Sequence, residues 1–282
     1  MIRKLINFLL DTRDRQRVGI ALTKGVAMMQ AREVDLTEPA SWEFSGFSQN
    51  GEDGILQVLR KQLKIKNRYF IEIGVSDGIE NNSAWLVVAE NYNGIMIEGN
   101  SKLAERADRS MSGYSIGCEC RNLFVTRDNL DELKSLAFHS DPDVFSLDID
   151  GNDYYIASAV LDGGFRPKIF VVEFNSVFGP DLSVTVEYRD DFDFSAAHST
   201  QLYYGVSISG WRSFFESKGY RFITVDQNGV NAFFVDPQYF DADFLDSINA
   251  LPYAENLFQY SKFRIPSVQQ FELIKDQKLV TI

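Results

Sequence analysis

The sequence predicts an α/β fold: a Rossmann-like, seven-stranded, mainly parallel sheet with an antiparallel last strand and helices on both faces. Three observations predict it. From about residue 45, short runs rich in β-branched and aromatic residues alternate with stretches of helical periodicity, the rhythm of βαβ units. The connections are long enough for helical crossovers, as parallel strands require. Finally, the last two runs are separated only by residues 226–230, which contain the turn pair Asn228-Gly229, so the sheet ends in a hairpin.

The elements follow in order. Residues 2–31 contain few helix breakers and place Ile2, Leu5, Ile6, Leu9 and Leu10 at helical spacing, which predicts one or two amphipathic helices. Residues 1–45 are therefore read as an N-terminal helical appendage. Strands are expected at 69–73, 94–97, 114–117, 144–149, 168–174, 221–225 and 231–235. Helices are expected near 51–63, 82–90, 101–109, 127–137, 153–162 and 206–218. Together these define a domain over 46–236, interrupted after the fifth strand by an aromatic- and Asp-rich insert, 177–201, of a length that is often functional. Residues 237–282, with Pro252 and Pro266, are read as a C-terminal extension.

Composition narrows the function. The chain of 282 residues is 45% hydrophobic and 24% charged, an ordinary globular balance. Its net charge of −12 opposes a nucleic-acid partner. The charge is uneven: Arg3, Lys4, Arg13, Arg15, Arg17, Lys24 and Arg32 against Asp11 and Asp14 give residues 1–32 a balance of +5, and the other 250 residues carry −17. Three roles fit this segment: packing on its own domain, packing on a partner in a homo-oligomer, or peripheral contact of a basic face with an anionic membrane. No stretch approaches the roughly 20 apolar residues of a membrane span, and the run 5–10 lacks a signal-peptide cleavage pattern. Two cysteines, Cys118 and Cys120, make no disulfide scaffold. A soluble protein of a reducing cytoplasm is expected.

Chemistry-bearing residues collect at the predicted strand ends. The first strand runs into Glu72-Ile-Gly74-Val-Ser76-Asp77-Gly78, and glycines in a strand-to-helix turn let backbone approach a ligand. The Gly74/Gly78 spacing is G-x-x-x-G, not the G-x-G-x-x-G of dinucleotide sites, which counts against an NAD-dependent oxidoreductase. The second strand ends in Glu98-Gly99-Asn100, placing a carboxylate where it can accept both ribose hydroxyls of a nucleoside. The fourth ends in Asp148-Ile-Asp150-Gly-Asn152-Asp153 and the fifth in Glu173-Phe-Asn175. Acids converging on one crevice need a cation, either the sulfonium of a cofactor or a hard ion such as Mg²⁺, for which Asp148 or Asp150, with Glu173 and Asn175, would make a partial oxygen shell. An EF-hand is excluded, because counting from Asp148 its required Gly and acid fall on Asp153 and Ala159. Asn152 and Asp153 also fit as caps of the following helix. His198, in the insert, and Asp148 or Asp150 are the candidate general bases, whereas His139 reads as a loop residue. Gly205-Val-Ser207-Ile-Ser209 lacks the second Gly of a nucleophile elbow, so a serine there reads as a helix cap.

Taken together, these segments resemble the FkbM-like branch of class I S-adenosylmethionine-dependent methyltransferases. The motifs are Ser48-Gln49-Asn50-Gly51-Glu52-Asp53, 70–78, Ile97-Glu98-Gly99-Asn100, 145–154, Val172-Glu173-Phe174-Asn175 and Gly229-Val-Asn231-Ala-Phe-Phe234. Five parallel strands, a sixth, and an antiparallel seventh are also that family's strand plan. The resemblance implies methyl transfer to a hydroxyl of a sugar, glycan or related natural product, with S-adenosylmethionine as cofactor. It implies cofactor contacts from Gln49, Glu72, Gly74, Ser76, Asp77, Gly78, Glu98, Asn100, Glu119 and Asp148. Gly99 stands where family members often have Pro, and Ser76 where Gly is common. The insert, with Tyr188 and Arg189, and Asn152 are the expected acceptor contacts. The alternative from another class is a non-catalytic nucleotide-binding or scaffold protein on the same fold.

Overall fold

The structure, a computed structural model, describes residues 2–111 and 113–282, with side chains from residue 11 onward. The face expected on Ile2, Leu5, Ile6, Leu9 and Leu10, and the charges of Arg3 and Lys4, lie outside those described side chains.

The strands are β1 (Tyr69–Ile73), β2 (Asn93–Glu98), β3 (Cys118–Asn122), β4 (Val144–Leu147), β5 (Ile169–Glu173), β6 (Val184–Val186), β7 (Arg221–Val225), β8 (Asn231–Val235) and β9 (Leu279–Thr281). Seven form one sheet in the order β3-β2-β1-β4-β5-β8-β7. The pairs among β1 to β5 are parallel, and β8 lies antiparallel between β5 and β7. The predicted Rossmann-like α/β architecture, with its closing hairpin, is the architecture observed.

The helices are α1 (Ile2–Ala31), α2 (Glu52–Gln62), α3 (Ala84–Val88), α4 (Ser101–Met111), α5 (Leu130–Leu136), α6 (Asp153–Asp162), α7 (Phe194–Ala197), α8 (Ile208–Ser217), α9 (Ala242–Ser247), α10 (Leu257–Phe263) and α11 (Ser267–Phe271). Because successive strand residues face opposite sides, Phe70, Met96, Val171 and Phe233 enter a core with α2, α3 and α4. Their neighbours Ile71, Ile95, Phe170 and Phe234 enter a second core with α5, α6 and α8. Both faces are covered, as a parallel sheet requires.

The third strand departs from expectation. Residues 114–117 form turns, and β3 begins at Cys118. It is an edge strand with Cys118 buried and Glu119 exposed, so its polar alternation does not resemble the apolar runs of the central strands.

The N-terminal segment packs on its own chain. Trp85 lies against Gly25 of α1 and against Gly46, where a Cβ would come within 2.4 Å and 2.8 Å of the indole ring. Arg17 donates to Asp77 at 2.6 Å and to Glu80 at 3.2 Å, and Arg106 of α4 donates to Asp14 at 2.8 Å. Arg32 stacks over Phe44. Part of the basic charge that suggested membrane contact is thus spent on internal partners. Among the described residues, no helix is long and apolar enough to cross a membrane.

The insert and tail together build a feature absent from the sequence reading. β6 pairs antiparallel with β9, and Val177, Phe178, Val186, Leu202 and Tyr203 share a small core with Ile274. The tail clamps the insert beside the fifth strand.

Candidate functional site

In open α/β sheets a crevice opens where strand order reverses, outside the carboxyl ends of the strands. Here the reversal lies between β1 and β4. A crevice of about 630 Å³ opens there, lined by the residues that follow β1, β2, β3 and β4 together with Phe192, Asp193 and Phe194 of the insert.

The turn after β1 uses Gly74 at φ +93°, and a Cβ on it would lie 1.6 Å from the Asp148 carbonyl oxygen. Only glycine lets β1 and β4 approach this closely. Ser76 follows at φ +51°, and its N–H donates to Glu98 Oε2 at 2.8 Å. The other Glu98 oxygen accepts from Asn100 N–H at 2.8 Å. Glu98 therefore ties the β1 and β2 turns together. A carboxylate offers about four lone-pair sites, so two remain for ligand hydroxyls. Gly74, Ser76, Glu98, Asn100 and Asp148 all line the crevice.

Other expected cofactor contacts are placed elsewhere. Glu72 sits in mid-strand and is buried, accepting from Asn82 N–H at 3.0 Å, from Ser83 N–H at 2.9 Å and from the Ser83 hydroxyl. Burial pushes its carboxyl up to about 7 despite these donors. It fixes the loop into α3 and does not line the crevice. Asp77 is held by Arg17 and Arg106. Gly78 makes room for α4, since a Cβ there would lie 2.7 Å from Ala107 Cα. Glu119 points outward into an ion pair with Arg121. With β3 ending at Asn122, the third-strand side of the crevice is formed by Leu123, Phe124 and Val125, and Phe124 lies against Gly99. Gln49 reaches the rim only through Glu80, to which it donates at 3.2 Å.

The acids after β4 and at the end of β5 do converge. Single oxygens of Asp148, Asp150 and Glu173 all lie within 4.8 Å of one another. Asp150 adopts φ +54°, a left-handed conformation that Asp tolerates better than most residues. Asp153 pins this loop by accepting from Ile149 N–H at 2.9 Å and Gly151 N–H at 2.8 Å. Burial, then mutual repulsion, drives Asp148 and Glu173 well above the usual carboxylate range; burial and the nearby Glu98 raise Asp150. Glu173 Oε2 is buried without a hydrogen-bond partner. The arrangement calls for a cation or a shared proton.

Asn175, expected in the same oxygen shell, is turned away. Its amide donates to the carbonyls of Leu202 at 2.8 Å and Tyr204 at 3.0 Å, and its oxygen caps the next turn by accepting from Val177 N–H at 3.1 Å. Sequence reasoning missed Tyr204, whose phenol is raised by burial and then by the nearby charges of Glu173, Asp150 and Asp148, and which receives a hydrogen bond from Gln259 Nε2 at 3.0 Å. A tyrosine pair after an insert carries no local signal of this placement.

On the insert, His198 lies at the end of α7 with Nδ1 2.8 Å from Thr200 Oγ1, and it does not line the crevice. Of the candidate bases, Asp148 and Asp150 line the crevice and His198 does not. Tyr188 bonds Asp190, and Arg189 pairs with Asp191, so neither side chain enters. Asn152 does line the crevice, but it makes no helix cap; its carboxamide holds the Arg189 backbone, donating to the carbonyl at 2.7 Å. The insert residues that do enter are Phe192, Asp193 and Phe194. Ser207 caps α8, accepting from Gly210 N–H at 3.0 Å, in keeping with a cap and not a nucleophile.

No protein-family model matches the sequence, and no curated protein matches it. Among solved structures, the chain is similar to an O-methyltransferase from Bacillus cereus in complex with SAH, at 15% identity over 78% of this chain and 89% of that one, with a TM-score of 0.43. It is similar to the O-methyltransferase TomG from Streptomyces achromogenes in complex with SAM, at 18% identity over 74% and 93% of the two chains, with a TM-score of 0.41. A SAM-dependent methyltransferase from Thiobacillus denitrificans in complex with S-adenosyl-L-homocysteine aligns at 11% identity over 70% of each chain, with a TM-score of 0.38.

Proposed function

We propose that the protein is an S-adenosylmethionine-dependent methyltransferase acting on a hydroxyl of a small molecule, sugar or glycan. The observation that carries this reading is Glu98: a carboxylate at the end of the second strand, braced by two backbone N–H groups, with spare acceptor capacity facing a crevice that also holds Gly74 and Asp148. The ribose of the cofactor would be accepted by Glu98, and its methionine portion would lie along Gly74 and Ser76. The base-bearing end would meet Leu123, Phe124 and Val125.

When bound, the cofactor would supply an electrophilic methyl group on a sulfonium sulfur, and its transfer to the acceptor oxygen would break the carbon–sulfur bond, leave a neutral thioether and release the hydroxyl proton. The protein's work is alignment and water exclusion. The acceptor proton would pass to Asp148 or Asp150, carboxylates whose raised affinity for protons suits them to receive it. The carboxylates of Asp148, Asp150 and Glu173 are also chemically suited to hold a hard divalent cation such as Mg²⁺, and the unpartnered Glu173 oxygen fits that use. When bound, such an ion would lower the pKa of a coordinated acceptor hydroxyl.

Calorimetric titration of the full chain with S-adenosylhomocysteine tests the reading, and saturable binding is expected. Absence of binding would favour a scaffold on the same fold. For the metal, cofactor-dependent methylation should stop in EDTA and return with Mg²⁺; full activity in EDTA would remove the ion from the reaction.

A further inference from the structure

Among the described residues, the charged side chains lining the crevice are Glu80, Glu98, Asp148, Asp150 and Asp193, with no Lys, Arg or His. Glu80 has a partner in Arg17, at 3.2 Å. Among the described residues the other four have none of opposite charge: the nearby Arg189 is paired with Asp191, and Arg127 is stacked over the Tyr188 ring at 3.8 Å. Below them, Glu173 is buried with an oxygen that no donor satisfies. Even a divalent ion among Asp148, Asp150 and Glu173 would leave the crevice negative.

The insert side adds aromatic faces to this charge. Phe192 covers the loop after β4 so closely that a Cβ on Gly151 would lie 2.3 Å from its ring. Its ring is backed by Tyr203 and that of Phe194 by Tyr204, each pair with centroids 6.2 Å apart. Between them, Asp193 uses Oδ1 to cap α7, accepting from the Ser195 N–H at 2.9 Å and from its hydroxyl at 2.6 Å. The Asp193 side chain is exposed at the crevice mouth and, among the described residues, pairs with no cationic side chain. Two aromatic rings flanking a carboxylate make a cation-selective surface, because ring faces and carboxylates both attract positive charge.

We propose that the acceptor half of the crevice, formed by Phe192, Asp193 and Phe194 opposite Asp148 and Asp150, selects a positively charged acceptor, an ammonium-bearing small molecule such as an amino sugar or amino alcohol, and rejects phosphorylated ones. As an acceptor assignment this rests on the methyl-transfer reading; the charge preference is a property of the crevice alone.

The test compares benzylammonium, benzyl alcohol and benzyl phosphate, which share one ring and differ in charge, by saturation-transfer NMR titration against the full chain loaded with S-adenosylhomocysteine, in EDTA. Benzylammonium should bind about tenfold more tightly than the alcohol, and the phosphate should give no saturable signal. Asp193→Asn, which keeps a cap-competent side chain, should erase most of that preference without weakening S-adenosylhomocysteine. Equal affinity for amine and alcohol, or tighter binding of the phosphate, overturns the proposal. If S-adenosylhomocysteine itself fails to bind, the methyl-transfer reading falls, and the same comparison on the unloaded chain still decides the charge preference.

Discussion

Glu98→Gln separates a ligand-binding carboxylate from a structural staple. The substitution preserves shape, removes the charge, and turns one acceptor oxygen into an NH₂ group. In the protein both oxygens accept backbone N–H groups at 2.8 Å, one from Ser76 and one from Asn100. A glutamine can keep one of these and must set its NH₂ against the other donor. A hydrogen bond to a charged acceptor contributes ~1.5–3 kcal/mol, and Glu98 is only partly buried, so the low end applies. A loss of ~1.5 kcal/mol corresponds to a fall in Tm of about 3–6 °C for a domain of this size. On the ligand side, one of the two bonds to the ribose is lost and the other weakened, again ~1.5–3 kcal/mol, or about 10–150-fold in the Kd for S-adenosylhomocysteine. Calorimetry reads the second quantity and thermal melting the first. If the melt falls as expected while the Kd stays within about twofold, Glu98 braces the turns and does not hold the ribose. An unchanged melt would refute the bracing as well.

Three further outcomes are expected. Gly74→Ala forces a Cβ against the Asp148 carbonyl at a φ of +93°; left-handed strain alone costs ~1–2 kcal/mol, so a lower Tm and loss of S-adenosylhomocysteine binding should appear together, and a wild-type melt would contradict the geometry. Lys168→Met removes the cation 2.7 Å from Asp143, both side chains being buried; the stranded carboxylate should cost ~3–5 kcal/mol in urea unfolding, and Lys168→Met/Asp143→Asn should recover part of it. Burial raises Glu72 and Asp53 to about 7 from ordinary values of 4.5 and 3.8, so the folded chain binds more protons than the unfolded one between about pH 4 and 7. Their contribution to stability is therefore full below pH 4 and declines as pH rises through 7; Glu72→Gln should flatten the melting profile between pH 5 and 7.5, and an unchanged slope would deny Glu72 this role.

Much of the sheet was legible because its signals are local. β1, β7 and β8 fall where short runs rich in β-branched and aromatic residues put them, and the turn pair Asn228-Gly229 implies the antiparallel closure. β3 was displaced because an edge strand is read from a polar alternation, Cys-Glu-Cys-Arg-Asn, that looks like a loop. The pairing of β6 with β9 joins residues nearly a hundred positions apart in three-residue strands, a length at which propensity says nothing. Phe192 packs on the small core that this clamp closes, a placement without local signal, so Phe192, Asp193 and Phe194 were invisible where Tyr188 and Arg189 looked equally apt.

Glu72 and Glu98 show why strand-end acids can be found in a sequence while their roles cannot. Both precede a glycine by one or two positions, and both looked like cofactor ligands. Glu72 lies one residue before the end of a central strand, on the Phe70 side of the sheet, where α3 covers it and three donors of residues 82–83 engage both its oxygens. Glu98 is the last residue of its strand, so its side chain emerges above the sheet, and its two backbone donors fix its direction while leaving lone pairs toward solvent. One residue of strand length thus separates a carboxylate that organises a loop from one able to receive a ligand. The same rule sorts the fourth and fifth strands: Asp148 and Glu173 stand at or just past the last paired residue and face the crevice cluster, whereas Asn175, two residues further on, is captured by the carbonyls of Leu202 and Tyr204. Function at this edge of the sheet is assigned by where the ladder of hydrogen bonds stops.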